Sequence, residues 1–462
     1  MGKWENGKEG KTVSSSLIRS HAWIEIDLAA VRANFAQVAA YKKPEVRCMA
    51  VVKANGYGLG AEALSKTLAR AGCDAFGVTT VAQGAALRRA GIRGLILVLG
   101  PSQQEEWQEA IEEDLTLSIS EVGMLRDLNE YCTEFCRRSP LDIHLEIETG
   151  LGRTGLFPED LKAVLPLLRG LRSLKVTGIY THFAQAENKK GEKYTRQQFR
   201  QFSEAVAFLE ENGIHPGLRH VCNSPALLAF PEFQLDMVRI GTLLIGQSPA
   251  PHLGGKLKLV DPWTAKARIL QVKVVPAGKH IGYDGLYKTR ANTQLAMIGL
   301  GYADGFSLEP RLVPKGLLDL IKIVVKNIIL LCNLPWYAGS DNIFLGGHRV
   351  RVAGKVGMEL TMLDVGQMPC DVGQEVIVPM RRASAGPRMQ RIYIDEQAVI
   401  SAEIQAGIPV ELSAELPVEL PAEQPVELPA EQPVELPAEQ PVVTTAMSVG
   451  DQLVDELEEA AG

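Results

Sequence analysis

Between residues 48 and 241 one texture repeats along the chain. Short apolar, β-branched runs alternate with longer segments whose apolar positions recur every three to four residues. The runs at 48–52, 75–78, 95–99, 116–119, 143–147, 175–180, 219–222 and 237–240 predict strands. Intervening segments such as AEALSKTLARAG and YTRQQFRQFSEAVAFLEENG predict helices that stop near Gly72 and Gly213. Alternating βα units imply a parallel sheet, and eight of them suit a closed (β/α)8 barrel of the TIM type. A doubly wound open sheet is the alternative. The absence of GxGxxG after the first strand tells against its dinucleotide-binding form.

After Gly246 the pattern changes. KARILQVKVVPAGKHIGYDG, TQLAMIGLGYADGF, HRVRVAGKVG and QEVIVPM are β-rich pieces with glycine turns and no helical segments between them. They predict a second, mostly β domain, to which the early HAWIEIDL adds a strand. The resulting organisation is a flexible N-terminus (1–20), a barrel (21–248), a β-rich domain (249–394) and a low-complexity tail (395–462). Within the tail, residues 409–440 are four copies of an eight-residue unit, PVELSAEL followed by PVELPAEQ three times. Recurrent proline and glutamate cannot bury a core, so an extended, disordered linker is expected, with a short acidic helix at VGDQLVDELEEAAG.

Composition narrows the function classes. A chain of 462 residues with 46% apolar and 22% charged residues is that of a soluble globular protein of two or three domains. The net charge of -7 and the scattered lysines and arginines argue against nucleic acid or an anionic membrane as partner. The opening MGKWENGKEGKTVSSS has no apolar core, so no signal peptide is expected. LLDLIKIVVKNIILLCNL at 317–334 is long and apolar, but Asp319, Lys322 and Lys326 share one helical face. Each would cost about 2.5–3.5 kcal/mol at mid-membrane, so no transmembrane segment is expected. An amphipathic helix packed on the protein is the prediction, with a membrane-surface helix as the alternative. Seven cysteines without CxxC spacing predict reduced thiols and a cytoplasmic protein without a metal centre. Cys132 and Cys136, four apart, read as ordinary helix residues.

Candidate chemistry gathers at the predicted strand ends, which form the active face of a βα barrel. In AVVKANGYGLG, Lys53 follows the apolar Val51 and Val52. Desolvation there would lower its pKa and free its amine for a Schiff base. A surface lysine at a strand end is the alternative, and the glycines that follow favour close approach of a ligand. In DMVRIGTLLIG, Arg239 ends the last strand, and Gly241 and Thr242 offer backbone N–H groups to a phosphate. Asn223 and Ser224 end the seventh strand, where the serine joins the phosphate cup, caps a helix, or does both. His182 in THFAQAE reads equally well as a packed structural histidine. Arg153 lies in the glycine-rich IETGLGRTG, and Tyr283 in the turn HIGYDG, where a lone tyrosine is usually structural.

Taken in order, these segments resemble the alanine racemase family of fold-type III pyridoxal-phosphate (PLP) enzymes over residues 22–378. HAWIEIDLAAVRANF is similar to the family's opening, AVVKANGYGLG to its lysine motif, IETGLGRTG to its arginine motif and GIYTHFAQAE to its histidine motif. HVCNSPA and LDMVRIGTLLIG resemble its phosphate and pyridine-nitrogen motifs. HIGYDGLYKT, IGLGYADGF and GKVGMELTMLDV resemble its C-terminal domain.

The resemblance implies that Lys53 holds PLP and acts as one acid/base, with Tyr283 of the partner subunit as the opposite base. Two bases on opposite faces of a Cα carbanion are what racemisation requires. It implies that Tyr57, Ser224, Gly241 and Thr242 hold the cofactor's phosphate, with Asn223 also among the cofactor-binding residues. His182 orients Arg239 or packs by the cofactor. Arg239 faces the pyridine nitrogen and cannot readily give it a proton. Arg153 and the Met358 backbone meet the substrate carboxylate. The implied protein is a homodimer with shared active sites, interconverting L- and D-alanine for peptidoglycan synthesis.

The alternatives are a PLP-binding paralogue with weak or lost activity and a racemase for another small amino acid such as serine. HIGYDG and GYADGF disfavour a fold-type III decarboxylase, and the β-rich domain disfavours a non-enzymatic PLP carrier. Three features depart from the family pattern. Glu146 stands where many members carry a carbamate-modified lysine, and is expected to supply the same negative charge to Arg153. GYADGF continues as SLEPR, and 307–346 reads as an insertion. The late phosphate-binding tyrosine segment has no match, so cofactor affinity is expected to fall about ten- to a hundredfold.

Overall fold

A computed structural model describes residues 20–135, 139–308, 316, 320–321, 323–325, 343–395 and 399–403. The polar N-terminus, Cys136, most of the apolar segment 317–334 and the repeat tail lie outside the described residues.

Strand β1 (Ala22–Asp27) comes first and belongs to the second domain. The barrel strands follow: β2 (Arg47–Val51), β3 (Ala75–Val78), β4 (Leu95–Val98), β5 (Thr116–Ile119), β6 (Leu141–Glu146), β7 (Leu174–Tyr180), β8 (Leu218–His220) and β9 (Met237–Ile240). From β8 back through β2 to β9, every neighbouring pair is parallel. Between β9 and β8 the ring is closed by Asp236 N–H to Arg219 O (3.1 Å) and Arg239 N–H to Cys222 O (2.8 Å). The closed (β/α)8 barrel, not the open sheet, is therefore the fold.

Both faces of each strand are covered, by the lumen inside and by helices outside. That is why strands such as AFGV and TLSI are buried at every position and read as unbroken runs. Strand edges differ from the sequence pattern by one or two residues. For example, β6 begins at Leu141, and β8 stops at His220. The outer helices cover the barrel with Leu64, Leu68, Trp107, Leu125, Leu165 and Phe202. Inside, Met49, Leu97, Tyr180 and Met237 form a smaller apolar cluster. Cys132 is packed in the helix Val122–Glu134.

The second domain is an antiparallel sheet built around β10 (Trp263–Val275). A register shift between Ile269 and Gln271 bends β10. Its first half pairs with β1 and Glu375–Val378, its second half with Thr293–Ile298. Through Thr361–Gly366, His348–Val352 and Ile343–Leu345 the sheet returns to Glu375–Val378, so it curls on itself. β1 adds a strand to this domain, as expected of HAWIEIDL, antiparallel to β10 and parallel to Gln390–Ile394. A further strand, Val399–Glu403, pairs with Gln390–Ile394 within the stretch assigned to the tail by composition. Among the described residues no helix is long and apolar enough to cross a membrane.

Candidate active site

The lysine segment is shaped by backbone conformation. After Lys53, residues Ala54, Asn55, Gly56, Tyr57 and Gly58 all have left-handed φ, between 51° and 93°. Three of them are not glycine, at a cost of about 1–2 kcal/mol each. Hydrogen bonds hold the turn, from Gly58 N–H to Ala54 O (3.0 Å) and from Ala61 N–H to Asn55 Oδ1 (2.8 Å). The β-rich domain presses on it from outside. Arg391 Nε donates to Gly58 O (2.7 Å). A Cβ on Gly58 would lie 2.2 Å from Arg382 O, and one on Gly60 1.8 Å from the Tyr393 hydroxyl. Only glycine fits at either place. Lys53 is thereby held half-buried at the C-terminal mouth of the barrel. Burial, then Arg153 and Arg239, lowers its pKa below the ordinary lysine value.

Beside it lies an anion-sized cup. Asn223, not Ser224, caps the helix Ser224–Ala229, its Oδ1 accepting from Ala226 N–H (3.1 Å). The Ser224 hydroxyl is thus turned to the next loop, where it accepts from Gly241 N–H (3.1 Å). The Tyr57 hydroxyl abuts Gly241 so closely that a Cβ there would stand 2.2 Å from it. Burial pushes Tyr57 up to about 12, so its hydroxyl stays protonated as a donor. Thr242 completes this wall.

Arg239 forms the floor and is 3% exposed. Its Nη1 donates to His220 O (2.5 Å) and lies 2.9 Å from His220 Nδ1. Its Nη2 donates to Thr181 O (2.7 Å) and lies 3.4 Å from His182 Nδ1. The guanidinium also covers the Tyr180 ring at 5.0 Å. Burial, then the nearby cations Arg239, Arg153 and Lys53, takes His182 down to about 3, so the imidazole is neutral.

Arg153 stands on a loop organised by Glu148, a residue that the motif reading passes over. Its buried carboxylate accepts N–H bonds from Gly150, Leu151 (2.7 Å), Gly152 (2.8 Å) and Arg153 (3.3 Å). An acidic residue directly before a glycine-rich run is the signal that could have found it. Glu146, buried at the end of β6, lies 4.0 Å from Arg153. Burial raises its pKa, opposed by hydrogen bonds from Thr154 and Tyr180 and by the charge of Arg153.

Lys53, Tyr57, Arg153, His182, Asn223, Ser224, Arg239, Gly241 and Thr242 all line one cavity of about 540 Å³, joined by Gln247 and Ser248, which the sequence did not single out. Tyr283 and Met358 do not line it. They stand on the β-rich domain, 74% and 60% exposed. Their loops adjoin, linked by an ion pair between Asp284 and Lys355. The Met358 carbonyl accepts from Ala303 N–H (3.0 Å). Apart from Pro249, where the β-rich domain begins, no described residue of that domain lines the cavity. The set fits a cofactor that carries a carbonyl and a phosphate: a lysine amine of lowered pKa beside a cup whose floor at Gly241 a Cβ would fill.

Known proteins resemble this chain over both of its domains. The family model for the N-terminal domain of alanine racemase matches residues 26–249, and that for its C-terminal domain matches 263–419. The alanine racemase of Desulforamulus reducens is 36% identical over 359 residues, 77% of this chain and 89% of that protein. Alanine racemase 1 of Oceanobacillus iheyensis is 32% identical, covering 77% and 87%. The crystal structure of alanine racemase from D-cycloserine-producing Streptomyces lavendulae superposes with a TM-score of 0.70 at 31% identity, over 81% of this chain and 97% of that one. A closed barrel with a lysine at its mouth, joined to a curled β domain, here defines an isomerase of the amino-acid racemase class. The chain belongs to the alanine racemase family.

Proposed function

We propose that the protein interconverts L- and D-alanine with pyridoxal 5'-phosphate as cofactor. The observation that carries this reading is the shared cavity. It sets a lysine of lowered pKa between an anion cup and two arginines. The cofactor, when bound, supplies the sink for the electrons left at the substrate Cα. Every other task falls to the chain's own groups.

Lys53 both links the cofactor and moves the Cα proton on one face. Its lowered pKa raises the fraction of neutral amine near neutral pH. Tyr57, Asn223, Ser224, Gly241 and Thr242 hold the phosphate end. Arg239 faces the cofactor's ring nitrogen as a fixed cation. Both of its terminal nitrogens are held by carbonyls, and a guanidinium does not readily give up its proton. His182, neutral, packs beside Arg239. Arg153 pairs with the substrate carboxylate, with its backbone fixed by Glu148 and its charge answered by Glu146.

One face of Cα then lacks a base. A second copy of the chain would supply it, with Tyr283 of the partner subunit as the opposite base and Met358 of the partner subunit meeting the carboxylate. The exposure of both residues supports an assembly in which each copy completes the other's site. In this reading the protein is a cytoplasmic homodimer whose D-alanine serves peptidoglycan synthesis.

The test is a racemisation assay on the purified, PLP-loaded protein with alanine and with serine, following exchange of the Cα proton in heavy water. Turnover of alanine is expected. Turnover of serine alone would change the substrate, and turnover of neither would end the racemase reading.

A further inference from the structure

The barrel lumen carries a chain of polar groups that the proposed reaction uses only at its upper end. Arg239 Nη1 lies 2.9 Å from His220 Nδ1, and His220 Nε2 lies 2.9 Å from His144 Nδ1. A guanidinium only donates, so the tautomers follow in series. His220 Nδ1 accepts, which puts its proton on Nε2. His144 Nδ1 accepts that proton's hydrogen bond, which leaves the His144 proton on Nε2. Both rings are neutral, since burial takes His144 down to about 3 and His220 well below the ordinary range.

The chain ends at a second cavity, of about 330 Å³, lined by His144, Thr177, Arg47 and Arg88 at the N-terminal end of the barrel strands. His144 is 1% exposed, yet its Nε2 has no hydrogen-bond partner among the described residues, and neither has the buried Thr177 hydroxyl. Two such orphans in one cavity are unusual in a protein interior. The fold makes deliberate room for the ring. A Cβ on Gly178 would lie 2.4 Å from the His144 imidazole, and the β6–β7 register slips between Ile143 and His144.

The charge of this cavity favours a negative occupant. Arg47 and Arg88 are half-buried, whereas the carboxylates at its rim, Asp114 and Asp142, are exposed and screened by solvent. Arg47 reaches one exposed carboxylate, Asp74, at 2.9 Å. Arg88 donates to the carbonyls of Glu113, Ile92 and Asp114. From above, the Arg239 cation polarises the two imidazoles in turn, which strengthens the last N–H as a donor.

We propose that this cavity binds a small oxyanion of formate size. Its oxygens accept from His144 Nε2–H and the Thr177 hydroxyl beside Arg47, and its arrival is felt at Arg239 through the two histidines. The site stands apart from the racemase reading, because its detection needs no turnover.

The experiment titrates formate into the PLP-loaded protein at constant ionic strength, with chloride as the balancing anion. Calorimetry and the 15N-histidine NMR spectrum are recorded together. Expected are one saturable site and a downfield shift of the His144 Nε2 proton. In Thr177→Val, formate binding weakens about tenfold, and Thr177→Ser restores it. Absence of saturable heat with unmoved histidine resonances would mean water alone fills the cavity and would overturn the proposal. So would Thr177→Val binding formate as tightly as the wild type, which would place the anion at the other mouth. The wild-type His144 shift decides the question even where a variant fails to fold.

Discussion

The barrel mouth and the β-rich domain present their site residues in opposite ways. At the barrel mouth each candidate side chain is fixed by its own chain. Arg239 is anchored by two carbonyls, Arg153 by the Glu148 loop, and Lys53 by a left-handed turn clamped from the β-rich domain. On the β-rich domain, Tyr283 and Met358 project from glycine-rich loops into solvent, with Leu286 and Leu360 also exposed nearby in sequence. One region is a finished pocket. The other is a surface that acquires meaning only against something else. A clustered apolar exposure of this kind marks an interaction face, and under the proposed reading that face meets a second copy of the chain.

The largest test of this contrast combines two variants. Under the proposed reading Lys53→Ala removes the barrel's base and cofactor link, and racemisation should fall at least about 10⁴-fold, with loss of the bound cofactor's visible absorption. Tyr283→Phe should lower turnover about 10²- to 10³-fold yet leave that absorption in place. Mixing the two inactive proteins should restore about a quarter of wild-type activity, because half of the dimers then hold one intact site. No recovery on mixing would mean that Tyr283 serves its own chain or none.

A second test asks whether the barrel is the acid-sensitive half. His144, His182 and His220 are neutral in the fold, the first two at about 3, against about 6.5 when unfolded. Below 6.5 the unfolded chain therefore binds more protons, and stability must fall as pH falls. Three such groups give up to about 4 kcal/mol per pH unit. Denaturant midpoints measured from about pH 6 to about pH 4 should drop steeply, with the barrel's near-ultraviolet signals lost first. A flat profile would contradict the burial of these rings.

The smallest effect is expected from Glu146→Gln. Arg153 is 54% exposed and the pair is 4.0 Å apart, so solvent screens the attraction. The Michaelis constant for alanine should rise about two- to fivefold with little change in kcat. An unchanged constant would show that Glu148 alone suffices to hold the arginine loop.

The sequence was most legible where burial leaves a one-dimensional trace. Strands covered on both faces stand out as apolar runs, and Lys53, Arg153 and Arg239 stand out as charges among glycines at strand ends. Residues acting across long separations left no such trace. In DIHLEI and LRHVC nothing marks His144 and His220 as neighbours, since their contact spans 76 residues. Ser224 read as a possible helix cap, and only the direction of the side chains shows that Asn223 takes that place. The exposure of Tyr283 depends on what the β-rich domain leaves uncovered, a property of the folded surface that no local pattern carries.

The placement of β1 has a consequence for how the chain is made. It leaves the ribosome before any barrel strand, but it pairs with residues 263–267 and 390–394. Every barrel strand is synthesised before either partner exists. At about 5–20 residues per second, the wait lasts on the order of tens of seconds. The nascent chain therefore carries an assembled or assembling barrel while the apolar AWIEID, on its N-terminal side, still lacks its sheet partners. Only a chain grown past residue 394 can pair that strand on both sides, so the sheet of the β-rich domain closes after every barrel strand has been made.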